Sequence, residues 1–141
     1  MRILHNIRFR TYSHATEDLH RVEFALRNVS GVHELEYENL KGHHGNPIVK
    51  ITASMDKRSE IDGFQDRLRD SGSFPEILAT LDDRVDEEGV LHIRLSKQAA
   101  YEGRMEMAAD DDAVSVGAKV RAYPASRSEA IRVLRENLEA E

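Results

Sequence analysis

The sequence predicts an α+β domain in which helices pack on one face of a mostly antiparallel or mixed sheet. Three observations carry that prediction. Several short segments alternate apolar and polar residues with the period of a strand. The segments between them repeat apolar residues every three or four positions, the period of a helix. The strand-like segments also follow one another in hairpin-like pairs rather than in the regular strand–helix alternation of a doubly wound sheet.

Ile3, His5, Ile7, Phe9 and Thr11 alternate with Leu4, Asn6, Arg8 and Arg10, which predicts a first strand. Thr16 is a candidate cap for a helix that carries Glu17 and Asp18 in its first turn and Leu19, Val22, Leu26 and Val29 on one face. Ser30-Gly31 ends that helix. Leu35, Tyr37 and Leu40 predict a short strand before the glycine-rich loop 42–47, and Val49, Ile51, Ala53 and Met55 predict its neighbour. Ser59-x-x-Asp62 reads as a capping box for a helix with Ile61, Phe64 and Leu68 on one side. After Ser71-Gly72, Ser73-x-x-Glu76 opens another helix, with Pro75 in its first turn, an apolar stripe from Phe74 to Val85, and Gly89 at its end.

Leu91, Ile93 and Leu95 predict a strand with His92 and Arg94 on its other face, followed by a short helical or turn insertion at 97–102. Met105 and Met107, then Val114, Val116, Ala118 and Val120, predict two further strands around the acidic turn Asp110–Asp112. Pro124 and Ser126-x-x-Glu129 start a last helix through Ala130, Ile131, Leu134 and Leu138. The predicted order is β-α-β-β-α-α-β-β-β-α.

The 141 residues suit one domain with one core, spanning residues 1–141. With no cysteine, disulfides and thiolate chemistry are excluded. The N-terminus is charged and alternating, unlike a signal peptide, and no apolar run approaches the roughly 20 residues of a membrane span. A soluble cytoplasmic protein is expected. Charge is spread unevenly: residues 1–58 carry 9 Lys/Arg against 7 Asp/Glu, residues 59–112 carry 6 against 15, and residues 113–141 carry 5 against 4. A nucleic-acid ligand would therefore meet a surface drawn from the two ends of the chain. Arginine outnumbers lysine 15 to 5, a bias that suits a salt-adapted or GC-rich source.

Two segments are the candidate binding surface. In LKGHHGNPI, the backbone amides of Gly42 and Gly45, with Lys41, His43, His44 and Asn46, suit a grip on a phosphate or an unpaired base. Turn chemistry alone also explains the glycines, Asn46 and Pro47, and composition favours that plainer reading. In LSKQAAYEGR, Lys97, Gln98, Tyr101 and Arg104, with Arg94 just ahead, combine positive charge with an aromatic ring, as phosphate contact plus base stacking requires. A buried Tyr101 with Lys97 and Arg104 as solvated ends explains the same window equally well. Arg8 and Arg10 share one side of the first strand, and Lys119 and Arg121 one side of the last; if the strands adjoin they form a basic stripe, though a solvated sheet face is commoner.

His43 and His44 also raise the reading of an RNA-cleaving acid–base pair. Adjacent residues in extended chain point to opposite sides, which argues against it. No spacing of histidines and carboxylates suggests a metal ligand set, so no metal or cofactor is expected.

The segments ATEDLHRVEFAL, LEYENLKGHHGNPIVKI, ILATLDDRVDEEGVLHIRLSKQAAYEG and VGAKVRAYP, in this order, resemble an archaeal family of predicted RNA-binding proteins or predicted exosome subunits. The resemblance implies a fold like that of the large-subunit ribosomal protein that binds 5S RNA. It also implies a non-enzymatic role in RNA processing or degradation. The matching positions are Gly42, His43, Gly45, Asn46 and Pro47, then Arg94, Lys97, Gln98, Tyr101 and Gly103. Ser96 stands where the resemblance implies an aspartate before the lysine, which predicts a freer Lys97. The expected partner is structured RNA, with subunits of an RNA-processing assembly as further partners; a subunit that docks on such an assembly without touching RNA is the alternative. The RNA reading requires segments 42–47 and 95–104 to lie side by side on one face, away from the acidic helices of 59–88.

Overall fold

The computed structural model describes residues 3–42 and 44–138. The elements are β1 (Leu4–His14), α1 (Leu19–Ser30), β2 (Glu36–Lys41), β3 (Pro47–Met55), α2 (Arg58–Asp70), α3 (Phe74–Ala79), α4 (Leu81–Arg84), β4 (Val90–Ser96), α5 (Lys97–Tyr101), β5 (Ala113–Val120) and α6 (Arg127–Leu138). The five strands form one antiparallel sheet in the order β2-β3-β1-β5-β4. The α+β architecture with helices on one sheet face is as the periodicities predict.

Alternation along each strand decides which face is covered. Ile7, Phe9, Thr11 and Ser13 of β1 are buried, as are Ile51, Ala53 and Met55 of β3, Leu91, Ile93 and Leu95 of β4, and Val114, Val116 and Ala118 of β5. Against them the helices place Val22, Leu26 and Val29 of α1, Ile61, Phe64 and Leu68 of α2, and Leu134 and Leu138 of α6. Phe9 meets Phe64 edge-on, with ring centroids 5.2 Å apart. Burying each of these rings contributes about 1.5–3 kcal/mol. Thr11 is tolerated in this layer because its hydroxyl donates to the Ala113 carbonyl at 3.1 Å.

Several local expectations are corrected. Asp18, not Thr16, caps α1, accepting from the His20 N–H at 2.9 Å. The Ser59-x-x-Asp62 box forms no cap, because α2 begins two residues earlier, at Arg58 behind Lys57. Ser73 precedes α3 without a side-chain cap, and the stripe from Phe74 to Val85 breaks at Thr80 into α3 and α4. The expected strand at Met105 and Met107 reduces to a single bridge between Met107 and Leu95. The 97–102 insertion is the helix α5, which Ser96 caps by accepting from the Ala99 N–H at 3.2 Å.

Gly89 does not end a helix. It sits with φ +84° in the turn that leads Val85–Asp86 back into β4. Asp86 organises that turn: its carboxylate accepts from the Glu88 N–H at 2.9 Å and the Val90 N–H at 3.0 Å, and its other oxygen meets His92 Nε2 at 2.8 Å. Burial pushes this carboxyl up, but the hydrogen bonds from His92, Val90 and Glu88 outweigh that and hold it below the usual carboxylate range. A depressed folded value adds stability above the unfolded pKa, and that stability is lost as pH falls through the folded value. Asp86→Ala is therefore expected to cost about 1 kcal/mol at neutral pH. The difference from the wild type should begin to shrink as pH falls below about 4, near the unfolded value, and go on shrinking through the lower folded value. Urea unfolding at pH 7 and pH 3 measures both, and an equal difference at both pH values would rule this account out.

Candidate nucleic-acid interface

Among the described residues, the sheet face opposite α1, α2 and α6 carries no covering element, and Asp83 and Arg84 of α4 border it at one side. Register assigns its side chains to rows. One row runs Glu36, Thr52, Arg10, Ser115, Arg94 across β2, β3, β1, β5 and β4. The next runs Ser54, Arg8, Gly117, His92, and a third pairs Asn6 with Lys119 beside Val90. These residues line a groove of about 1060 Å³. The alternation that buries Ile7 and Phe9 turns Arg8 and Arg10 outward at its centre.

The electrostatics of the groove are graded. Arg8 and Arg10 make no ion pair among the described residues, and the Arg10 guanidinium lies 5.9 Å from the Tyr12 ring centroid. Lys50 lies 3.8 Å from Glu38, a loose pair on an exposed surface. Arg94 is paired with Asp111, and the Lys119 ammonium donates to the Glu88 carbonyl. Acidic groups mark both margins, with Glu36 on β2 and with Asp83 and Glu88 near the β4 edge. The cations least satisfied by the protein itself are therefore the two on the central strand, flanked by the hydroxyls of Thr52, Ser54 and Ser115.

The two segments singled out in the sequence do not share a surface. Both lie at the end of the sheet where β1 finishes, but the hairpin belongs to β2–β3 and α5 follows β4, with β1 and β5 between. Three strand spacings separate them, about 14 Å. Moreover, α5 folds back onto α1, where Asn28 Nδ2 donates to the Ala100 carbonyl at 2.9 Å.

In the hairpin loop, turn chemistry uses the backbone. The Gly42 N–H donates to the Asn46 carbonyl at 2.7 Å, and the Gly45 N–H donates to the Gly42 carbonyl at 2.9 Å. Gly45 adopts φ +77°, and a Cβ on Gly42 would meet Ile48 Cδ1 at 3.0 Å. Those two amides are not aimed at a ligand. Lys41, His44 and Asn46 are exposed, and His43 lies outside the described residues.

Lys97 is not freer for the presence of Ser96. Its side chain is 10 % exposed, and its ammonium donates to the Tyr12 carbonyl at 2.8 Å, to Asp112 at 2.7 Å and to Glu17 at 3.1 Å. His14 offers a ligand atom close to those of Glu17 and Asp112. The lysine charge already serves that cluster. Tyr101 is half-buried, edge-on to Phe24 at 5.7 Å with the Arg21 guanidinium 5.5 Å from its centroid. Arg104 is paired with Glu102 and Glu106, Gln98 contacts Glu102 at 3.4 Å, and Gly103 takes φ +82° at the end of α5. Of the LSKQAAYEGR set and its leading arginine, only Arg94 lines the open groove.

Of the basic stripe weighed from Arg8, Arg10, Lys119 and Arg121, the first three line one groove because β1 and β5 adjoin, whereas Arg121 lies one residue past the end of β5. Sequence reasoning missed Lys50, Thr52, Ser54 and Ser115 on the same face. Their signal was present as the polar half of two apolar alternations.

Comparison with known proteins agrees with an RNA-related reading of this architecture. A family model described as RNA binding matches residues 6–120. An RNA-binding protein of Pyrococcus abyssi is 34% identical over 146 residues, covering 97% of this chain and 95% of that protein. The solved structure of a DUF54 protein from Methanothermobacter thermautotrophicus superposes with a TM-score of 0.85 at 37% identity, covering 96% of this chain and 98% of that one. With a family match over most of the chain and a relative 34% identical along nearly its whole length, the chain belongs to this archaeal RNA-binding family.

Proposed function

We propose that this protein binds structured RNA on the open face of its sheet, holding phosphates with Arg8 and Arg10 and with Lys50, Arg94 and Lys119 around them. The observation that carries the reading is the pair of guanidiniums at the centre of the groove without ion-pair partners among the described residues. Guanidinium forks suit phosphate oxygens, and the neighbouring hydroxyls suit ribose 2′-hydroxyls. The net charge of −6 opposes long-range attraction, but charges beyond about 8 Å are screened at physiological salt. Affinity then depends on this local track. Within this reading the protein is a non-enzymatic cytoplasmic accessory factor in archaeal RNA processing or degradation, associated with the exosome, as the family resemblance implies.

A second reading, a docking subunit without RNA contact, is favoured by one feature. Among the described residues the β2 edge pairs with no further strand, and five of its six residues are exposed, whereas the β4 edge is met by Val85 and Met107. An uncovered edge can accept a strand from a partner.

Filter binding with a labelled RNA hairpin from 50 to 200 mM salt separates the two. The leading reading expects retention with log K falling linearly in log salt, and Arg8→Ala reducing the slope by about 1. No retention at 50 mM salt would leave the docking reading. The hairpin should remain intact throughout; cleavage that disappears in His44→Ala would make the protein a nuclease.

A further inference from the structure

Beyond the end of β5 the alternation of the open face continues. Val120 and Ala122 are buried, Lys119 and Arg121 are half-buried, and Tyr123 is 73 % exposed. Lys119 lines the groove with Arg8 and Arg10, and Arg121 and Tyr123 follow it at the same alternation of burial. The other two exposed aromatic rings are engaged elsewhere: Phe24 of α1 lies against Tyr101, and the Tyr37 hydroxyl donates to Glu23 of α1.

Tyr123 is also held in place. Its hydroxyl lies 3.1 Å from His5 Nε2, and the two rings are perpendicular with centroids 6.2 Å apart. His5 is the extra residue where the register of β1 shifts between Leu4 and Asn6, and such a bulge re-aims the side chain it carries. Arg121 makes no ion pair among the described residues, and its backbone N–H donates to the Ile3 carbonyl at 2.7 Å, tying the segment to the start of β1. Lys119 and Arg121 thus lead along the chain to a held and exposed aromatic ring.

We infer that Tyr123 is a stacking site for an unpaired base. The ligand class is a duplex RNA with a single-stranded extension, its phosphates on the sheet face and its first unpaired base on this ring. The inference rests on the sheet-face reading above. Stacking on an aromatic side chain tolerates any base and tightens binding by about 5- to 150-fold.

The test uses the full chain and two RNAs that share one hairpin stem, one blunt and one with a four-nucleotide extension carrying 2-aminopurine. The extension is expected to tighten binding at least fivefold and to quench the probe. Tyr123→Ala should abolish the increment and the quenching, with blunt-stem affinity and melting temperature unchanged, while Tyr123→Phe retains both. If the blunt stem binds but the extension adds nothing, stacking is overturned and the sheet-face reading stands. If Tyr123→Ala weakens both RNAs equally, stacking is again overturned. If neither RNA binds, the sheet-face reading falls and this inference with it.

Discussion

Reversing the two central charges, Arg8→Glu with Arg10→Glu, is expected to lower affinity for structured RNA by at least tenfold at 50 mM salt and to flatten the salt dependence. Each phosphate contact releases a counterion, so losing two contacts should reduce the slope of log K against log salt by about 2. The introduced carboxylates also repel the backbone, which takes the loss beyond that of simple truncation. Because both side chains are exposed and make no ion pair among the described residues, stability should change by less than about 0.5 kcal/mol per site. Arg69→Ala on α2, on the helix side of the sheet, serves as the control and should bind as the wild type does. Unchanged RNA affinity in the double variant, with normal melting, would remove the open face from the binding site.

Lys97→Met should act in the opposite way, weakening the fold and leaving the RNA affinity of the folded protein intact. The lysine ammonium joins β1, the loop before α1 and the acidic turn before β5 through Tyr12, Glu17 and Asp112. Removing it leaves two carboxylates facing each other with one backbone carbonyl short of a donor. Stripping one member from a buried ion pair costs several kcal/mol, but Asp112 is 58 % exposed, so a loss of about 1–3 kcal/mol is expected. For a chain of this length that corresponds to a fall in Tm of roughly 3–9 °C. Adding Glu17→Gln and Asp112→Asn should restore much of it, since the carboxylates then no longer repel. Full stability with lost RNA binding in Lys97→Met would instead return Lys97 to the RNA-contacting surface.

These two variants mark where sequence reasoning and the folded chain part. Lys97 looked like a phosphate ligand because it stands beside Gln98, Tyr101 and Arg104 in one window. Folding brings Glu17 and Asp112, 80 and 15 residues away, onto the same ammonium. Arg8 and Arg10 looked like an ordinary solvated face because nothing local shows which strand lies beside β1. The bridge at Met107 makes the same point, since two methionines at strand spacing do not show how much of a strand edge they will pair with.

By itself the sequence determined the α+β class, the helix-bearing segments of α1, α2, α3–α4 and α6, the inward residues of four strands and the hairpin turn at Gly42–Pro47, and left 97–102 open between helix and turn. Those properties depend on periods of two and 3.6 residues and on glycine and proline geometry, all of them local. The tertiary structure alone decided that β1 and β5 adjoin, that α5 folds onto α1, and that β1 and β5 separate the hairpin loop from LSKQAAYEGR. Strand order is settled by which apolar faces can be buried together, a property of the whole core. The candidate interface therefore moved from two conspicuous loops to the open face that burial of Ile7, Phe9, Ile51 and Val116 leaves behind.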